Sequence, residues 1–289
     1  MVSFSYNDFF IPIQPGNAVH KAWTKTTNYQ AKGVTWHWTA MAKLKDSRKT
    51  LQGLGSRKVS AHFCVGSSFA EGVDRYVSLE NRSWHAQVNQ KLRWDGEKSV
   101  KRTSGISACI GVETAHVGYE RQGYPASPDW GIFLDPTSET YRRIPPWGEE
   151  QFKMMVEVGK QILDRWPYIP WQHHHGHHDI CPGYKTDVVG FDFARLLRRI
   201  YDNPKIPDVW TPLWTTEARQ RVLISLGYDL GEWLDDGFWG DYSKRALTEF
   251  QREHSKVITP FWTTFTCQDA HREVTKKGLS LETIATAPA

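Results

Sequence analysis

Five of the chain's twelve histidines fall within six positions, in the run Gln172-His-His-His-Gly-His-His-Asp179. A solvated loop rarely collects so many, and an affinity tag would not sit between Trp171 and Pro182, in the interior of a 289-residue chain. Metal binding is the economical explanation, because neutral imidazole is the commonest protein ligand for metals such as zinc. A catalytic zinc takes three protein ligands and keeps one position for water. The constraint on the fold follows directly: a rigid element elsewhere must bring another ligand to this loop. His37, inside Val34–Thr39 and flanked by Trp36 and Trp38, is such a candidate.

The rest of the chain supplies elements that can do this. Residues 33–39, 61–65, 74–79 and 109–114 read as strands. Residues 148–166 read as a helix, with Phe152, Met155, Val156, Ile162 and Leu163 three, four and seven apart, and residues 191–201 read as another. Strands interspersed with helices predict an α/β or α+β domain of about 200 residues. Pro204 and Pro207 lack a backbone donor and bias their predecessors to extended geometry, so the helical pattern breaks there. Beyond them three short amphipathic helices are expected. The first covers Glu217–Leu226 and stops at Gly227. Asp241 can N-cap the second, and Thr266 with Asp269 can open the third, which ends at Gly278. We therefore divide the chain into residues 1–203, a linker at 204–212 and a small all-α unit at 213–289.

The histidine segment continues as Gly176-His-His-Asp-Ile-Cys-Pro-Gly-Tyr-Lys-Thr-Asp187, and four further motifs precede it: Trp36-His-Trp-Thr-Ala40, Val59-Ser-Ala-His-Phe63, Ser83-Trp-His-Ala86 and Ile110-Gly-Val-Glu113. In this order, over about residues 30 to 200, they resemble the zinc-dependent N-acetylmuramoyl-L-alanine amidases shared by muropeptide amidases, phage lysins and peptidoglycan recognition proteins. The resemblance implies an α/β catalytic domain, a mixed central sheet flanked by helices. It implies that His37, His177 and Asp187 hold Zn²⁺, that Glu113 is the general base and that Lys185 steadies the oxyanion. Trp38, Trp84 and His85 are expected to meet substrate. Tyr184 stands where the family carries Arg, and Val188 where Pro is frequent. Residues 118–147, rich in Pro, Tyr and Trp, read as a substrate-facing insertion. The tail has its own resemblance. Gln220–Gly227, Asp236-Gly-Phe-Trp-Gly240 and Ala246-Leu-Thr-Glu-Phe-Gln251 are similar to the three-helix peptidoglycan-binding domain, although Phe261 and Trp262 interrupt its usual continuation.

The chemistry agrees with those roles. Two neutral imidazoles and one carboxylate leave Zn²⁺ with net positive charge, enough to bring bound water towards a pKa of about 7 and to polarise a carbonyl. An acid and an ammonium beside it complete the needs of amide hydrolysis. His173, His174, His175 and His178 are expected in solvent or behind the ligands, and His62 in the cleft wall or core.

Composition narrows partners and compartment. Lys and Arg number 36 against 32 Asp and Glu, a mild +4 that is not gathered into one block, so no nucleic-acid stripe is visible. A polyanionic wall polymer is compatible with that sign. The 14 Trp include Trp84, Trp94, Trp130, Trp147 and Trp171 in loop-like segments, where planar faces suit sugar rings. The longest uncharged runs, residues 9–20 and 59–70, fall short of the roughly 18 apolar residues of a membrane span. Cys64, Cys109, Cys181 and Cys267 are too scattered for a disulfide scaffold and read as mostly free thiols. Residues 1–17 do not show the order of a secretory signal. The expectation is a soluble monomer, cytoplasmic at synthesis, that reaches peptidoglycan by release or delivery. Rival readings are a non-catalytic peptidoglycan receptor or wall-docking protein, and a zinc peptidase cutting the stem peptide. Receptors on this fold lose the third zinc ligand, whereas Asp187 is present.

Overall fold

The computed structural model describes residues 3–11, 19–20, 23–24, 29–52, 59–86, 108–135, 140–232, 234–255 and 258–286. Trp94 lies outside them, as do the chain's ends. Strand β4 (Gly33–Trp38) is buried at every position, which only a central strand covered on both faces can be. It pairs in parallel with β8 (Cys109–Thr114) on one side and β11 (His174–Gly176) on the other. Three more strands, β1 (Tyr6–Asp8), β5 (Phe63–Val65) and β6 (Val73–Arg75), complete a six-stranded sheet in the order β1-β6-β5-β8-β4-β11. All neighbours are parallel except β5 and β6, so the sheet is mixed.

Successive strand side chains point to opposite faces. Val34 and Trp36 of β4, Ile110 and Val112 of β8 and Phe63 and Val65 of β5 share one buried face, against which α2 (Glu149–Arg165) packs. Each large apolar side chain buried this way contributes roughly 1.5–3 kcal/mol. Helix α2 follows the expected 148–166 closely, with Glu149 and Glu150 in its first turn, where acidic groups favour the helix dipole. Its Gly159 lies against Ile200 of α4 (Phe193–Ile200) so closely that a Cβ there would come within 2.2 Å of Ile200 Cδ1. Helix α1 (Leu44–Leu51), which residue spacing does not foretell, packs Leu44 and Leu51 into a smaller second core with Cys64 and Tyr76.

The expected insertion folds in part as a hairpin, β9 (Gly131–Asp135) with β10 (Thr140–Ile144). Strands β2 (Val19–His20), β3 (Trp23–Thr24) and β7 (Arg82–Ser83) form a small separate sheet. A four-residue turn of helix, α3 (His177–Ile180), directly follows β11.

In the C-terminal segment, α5 (Thr216–Leu226), α6 (Asp241–His254) and α7 (Thr264–Lys276) occupy the three expected spans, followed by a short α8 (Leu281–Thr286). Two caps differ from expectation. Gly240 precedes α6, leaving Asp241 in the first turn, and Thr263 caps α7 by accepting from the Thr266 N–H. The segment is not held apart. Ile206, Val209 and Trp210 of the Pro-bounded stretch are buried, and Arg198 Nε donates to the Ile206 carbonyl. Phe133 packs edge-on against Trp214, and one apolar core runs from α2 and α4 through Trp210 to Val222, Phe250 and Trp262. Cys64, Cys109, Cys181 and Cys267 are all buried free thiols. No helix among the described residues is long and apolar enough to cross a membrane.

Candidate active site

Parallel pairing sets His37 of β4 directly beside Glu113 of β8. Alternation turns both away from the α2 face, at the carboxyl ends of their strands, where ligand crevices of open α/β sheets form. His177 follows the end of β11 and Asp187 closes the loop after α3. The three side chains converge on one point. Asp187 Oδ2 lies 2.9 Å from His37 Nδ1 and 3.1 Å from His177 Nδ1, and one ligand atom from each residue falls within 4.8 Å of the others. All three residues are buried. They open on a cleft of about 170 Å³ that Glu113, Lys185, Trp38, His85 and, from α1, Thr50 and Leu51 also line. Sequence spacing missed the α1 contribution, because a helix with buried residues only at Leu44, Ser47 and Leu51 leaves little periodic signal.

Burial governs the site's charges. It lowers His37 to about 4, with His177 adding to the effect, so the imidazole stays neutral. Burial works against ionising Asp187, but His177 and His37 outweigh it and hold the carboxyl well below its usual range. Glu113 goes the other way: burial, and then the charge of Asp187, push it up to about 8 against the pull of Lys185. Among the described residues its buried Oε2 has no hydrogen-bond partner, so a proton-bearing or cationic group in the cleft is what this acid lacks.

The donor set fits zinc. His85 Nε2 stands 3.2 Å from the Cys109 carbonyl, which can only accept, so that nitrogen carries the hydrogen. In the neutral ring Nδ1 is then bare and takes the hydrogen of His37 Nε2 at 2.9 Å. His37 in turn presents a bare Nδ1 lone pair to a carboxylate oxygen, a pairing that is repulsive until a cation sits between them. Two imidazole nitrogens and one carboxylate oxygen are a zinc-type set with room for a fourth ligand.

Strand alternation disperses the remaining histidines. His174 faces the α2 side, accepting from Trp36 Nε1 and donating to Tyr201 Oη. His175 faces the other side, beside Thr35 Oγ1 at 2.9 Å and under Phe265 of α7. Both are fully buried, so of the two places expected for them, in solvent or behind the ligands, solvent is excluded. His173 Nδ1 donates to the Lys32 carbonyl. His178 contacts the Asp187 carbonyl through Nδ1 and Asp179 through Nε2, donating to both, which makes it an imidazolium. Burial opposes that charge, but the Asp179 carboxylate overrides it and raises the His178 pKa. His62 is a core residue: it accepts from the Gly111 N–H and donates to the Asn81 carbonyl.

Trp38 stacks near His116 and Trp147 at the cleft wall. Trp84 is not among the described residues lining the cleft; its backbone is tied to Ser60 on both sides. His85 reaches the cleft with only 8% of its surface and spends both ring nitrogens on His37 and Cys109.

A buried pair of imidazoles and a carboxylate, with an acid and an ammonium alongside at the ends of parallel strands, is the layout of a hydrolytic centre. The family model Amidase_2, N-acetylmuramoyl-L-alanine amidase, matches residues 27–187, more than half of the chain, and the chain belongs to that family. It is a hydrolase of the amide between N-acetylmuramic acid and L-alanine in peptidoglycan. No curated protein matches the chain in sequence. Among solved structures, one similar to it is the N-acetylmuramyl-L-alanine amidase AmiD from E. coli, in complex with anhydro-N-acetylmuramic acid-L-Ala-D-γ-Glu-L-Lys. That match has 18% identity and a TM-score of 0.49, and covers 93% of this chain and 94% of that one. AmpDh3 from Pseudomonas aeruginosa, in complex with anhydromuramic pentapeptide, is 19% identical with a TM-score of 0.49, over 95% of both chains. The PlyG catalytic domain is 13% identical with a TM-score of 0.40, over 71% of this chain and 98% of that one.

Proposed function

We propose that the amidase is zinc-dependent, with His37, His177 and Asp187 as ligands, Glu113 as general base and acid, and Lys185 as the oxyanion donor. The observation that carries this reading is the convergence of His37 Nδ1, His177 Nδ1 and Asp187 Oδ2 in the cleft that Glu113 and Lys185 line. Zinc bound there supplies a Lewis acid that lowers the pKa of water and polarises the scissile carbonyl. Glu113, on the strand next to His37, takes the proton from the attacking water and returns it to the departing L-alanine nitrogen. Lys185, two residues before Asp187, brings its ammonium to the developing alkoxide. Trp38 offers an aromatic wall to the sugar side of the substrate.

Residues 213–289 fit a peptidoglycan-binding module. A groove of about 350 Å³ runs between α5 and α6, lined by Leu230, Leu234, Asp236, Phe238 and Tyr242. Phe238 is 73% exposed there, an apolar surface that a wall polymer can cover. The protein then acts as a monomer on the wall after release or delivery. Digestion of purified sacculi followed by mass spectrometry tests the whole reading: new free L-Ala amino termini on intact glycan are expected. Cuts within the stem peptide or no cuts would overturn it. Metal analysis should find one zinc per chain, lost in Asp187→Ala.

A further inference from the structure

His85 stands behind the proposed metal centre rather than in front of it. Its loop is pinned at several points: Ser83 Oγ lies 2.8 Å from His62 Nδ1, and the Trp84 N–H donates to Ser60 Oγ at 3.0 Å. The His85 side chain packs against Gly111 of β8, where any Cβ would sit 2.2 Å from His85 Cγ. A glycine at that strand position is therefore what leaves room for the ring. Among the described residues no carboxylate is hydrogen-bonded or ion-paired to it; its ring neighbours are His37 at 5.1 Å and His62 at 6.3 Å between centroids, so an ionised form would be both desolvated and repelled.

We propose that His85 is a positioning residue for zinc, a relay from the Cys109 carbonyl through His85 to His37 that fixes the tautomer and ring angle of His37 and so aims its Nδ1 lone pair at the metal. The proposal rests on the zinc reading above. The carbonyl dictates hydrogen at His85 Nε2, the bare Nδ1 dictates hydrogen at His37 Nε2, and one ligand nitrogen remains. A backbone carbonyl cannot change tautomer, so the polarity of the relay is set by the sheet itself. The donor sites on the far side of metal-bound imidazoles are usually taken by carboxylates or carbonyls, and losing such a partner weakens metal binding by about 10- to 100-fold.

Two variants and one spectrum test it in the full-length protein. His85→Leu removes the acceptor, whereas His85→Asn keeps an acceptor oxygen near the place of Nδ1. Zinc affinity, measured by chelator competition, should fall by about 10-fold or more in His85→Leu and recover most of the loss in His85→Asn. The visible spectrum of the cobalt-substituted protein should change in His85→Leu alone. The relay is overturned if both variants bind zinc as the wild type does, or if both lose it equally with equal falls in melting temperature, which is the mark of packing. A wild type that binds no zinc instead removes the metal reading on which the relay depends. Should His85→Leu fail to fold, nitrogen-15 spectra of the zinc-loaded wild type decide alone. Hydrogen on Nε2 of both His37 and His85 is expected, and hydrogen on His85 Nδ1 refutes the relay.

Discussion

The backbone N–H of Thr264 donates to Asp179 Oδ1 at 2.6 Å, tying the first turn of α7 to the residue two positions past His177. The same carboxylate accepts from the Gly176 N–H at 2.7 Å and pairs with His178, whose other nitrogen holds the Asp187 carbonyl. The C-terminal segment therefore touches the loop that carries two of the three proposed ligands. Burial would raise the Asp179 pKa, but His178 and the Thr264 N–H outweigh it and hold the carboxyl below its usual range.

This bears on how labour is divided. A mere tether, removed by truncation after residue 212, would leave hydrolysis of a small soluble muropeptide unchanged and lower only activity on sacculi. The Asp179 junction predicts that truncation lowers both, and that Asp179→Ala in the full chain lowers stability by about 3 kcal/mol or more, since it strands a buried cation. Melting temperature and turnover on the two substrates decide it. Unchanged turnover on the soluble fragment would return the segment to the role of a tether.

Glu113 and Lys185 should be separable from the metal. Glu113→Gln keeps the side chain's size but not its basicity, and should lose about 10²-fold or more in turnover while zinc stays bound. Lys185→Ala should cost about 3 kcal/mol of transition-state stabilisation, again with metal retained. Turnover near that of the wild type, at full zinc occupancy, would remove the residue from the mechanism.

Gly159 and Ile200 test the packing that supports the sheet. Alanine is the better helix former by about 1 kcal/mol, yet its Cβ would stand 2.2 Å from Ile200 Cδ1 and 2.6 Å from Cγ1. Gly159→Val should destabilise by about 1–3 kcal/mol, and Ile200→Ala in the same chain should relieve part of that overpacking. A double-mutant cycle by thermal denaturation measures the coupling; additive losses would mean that the helices simply move apart.

Much of the site can be read from the chain because its chemistry is concentrated in short motifs. His37 lies within an apolar run that must be a buried strand, and Asp187 ends a motif with little freedom of alignment. What escapes the sequence is set by partners far along it. Nothing local says that Asn7 pairs with Asp74, which sheet register decides, or that His85 turns its Nδ1 to His37, which the ties of its loop to Ser60 and His62 decide. The Thr263 cap escapes for another reason: Thr266 with Asp269 satisfies the same spacing rule three residues later, and only the bond from the Thr266 N–H to Thr263 Oγ1 tells them apart. The burial of His174 and His175 follows from alternation once residues 174–176 are known to be a strand, but three residues are too few to announce one.

Buried neutral histidines remote from the metal ligands set the acid limit of the fold. His62, His116 and His174 each have both ring nitrogens in hydrogen bonds that require the neutral form. Burial lowers His62 and His116 to about 4 and, with His175 adding, His174 to about 3, from an ordinary 6.5. In the unfolded chain all three take up protons near 6.5, so between that pH and about 4 the unfolded state binds more protons and stability rises with pH. Their contribution is complete above about 6.5 and is lost as the pH falls, at up to roughly 1.4 kcal/mol per pH unit for each histidine. These three rings should pull the melting temperature down from its value near pH 6.5 as the pH falls towards 4, against the opposite slope of Glu113, whose raised pKa favours the protonated fold over part of the same range. His62→Gln should flatten that drop even if it lowers the plateau, since one titrating group is gone. A melting temperature unchanged down to pH 4 would mean that these rings are not held neutral in the fold.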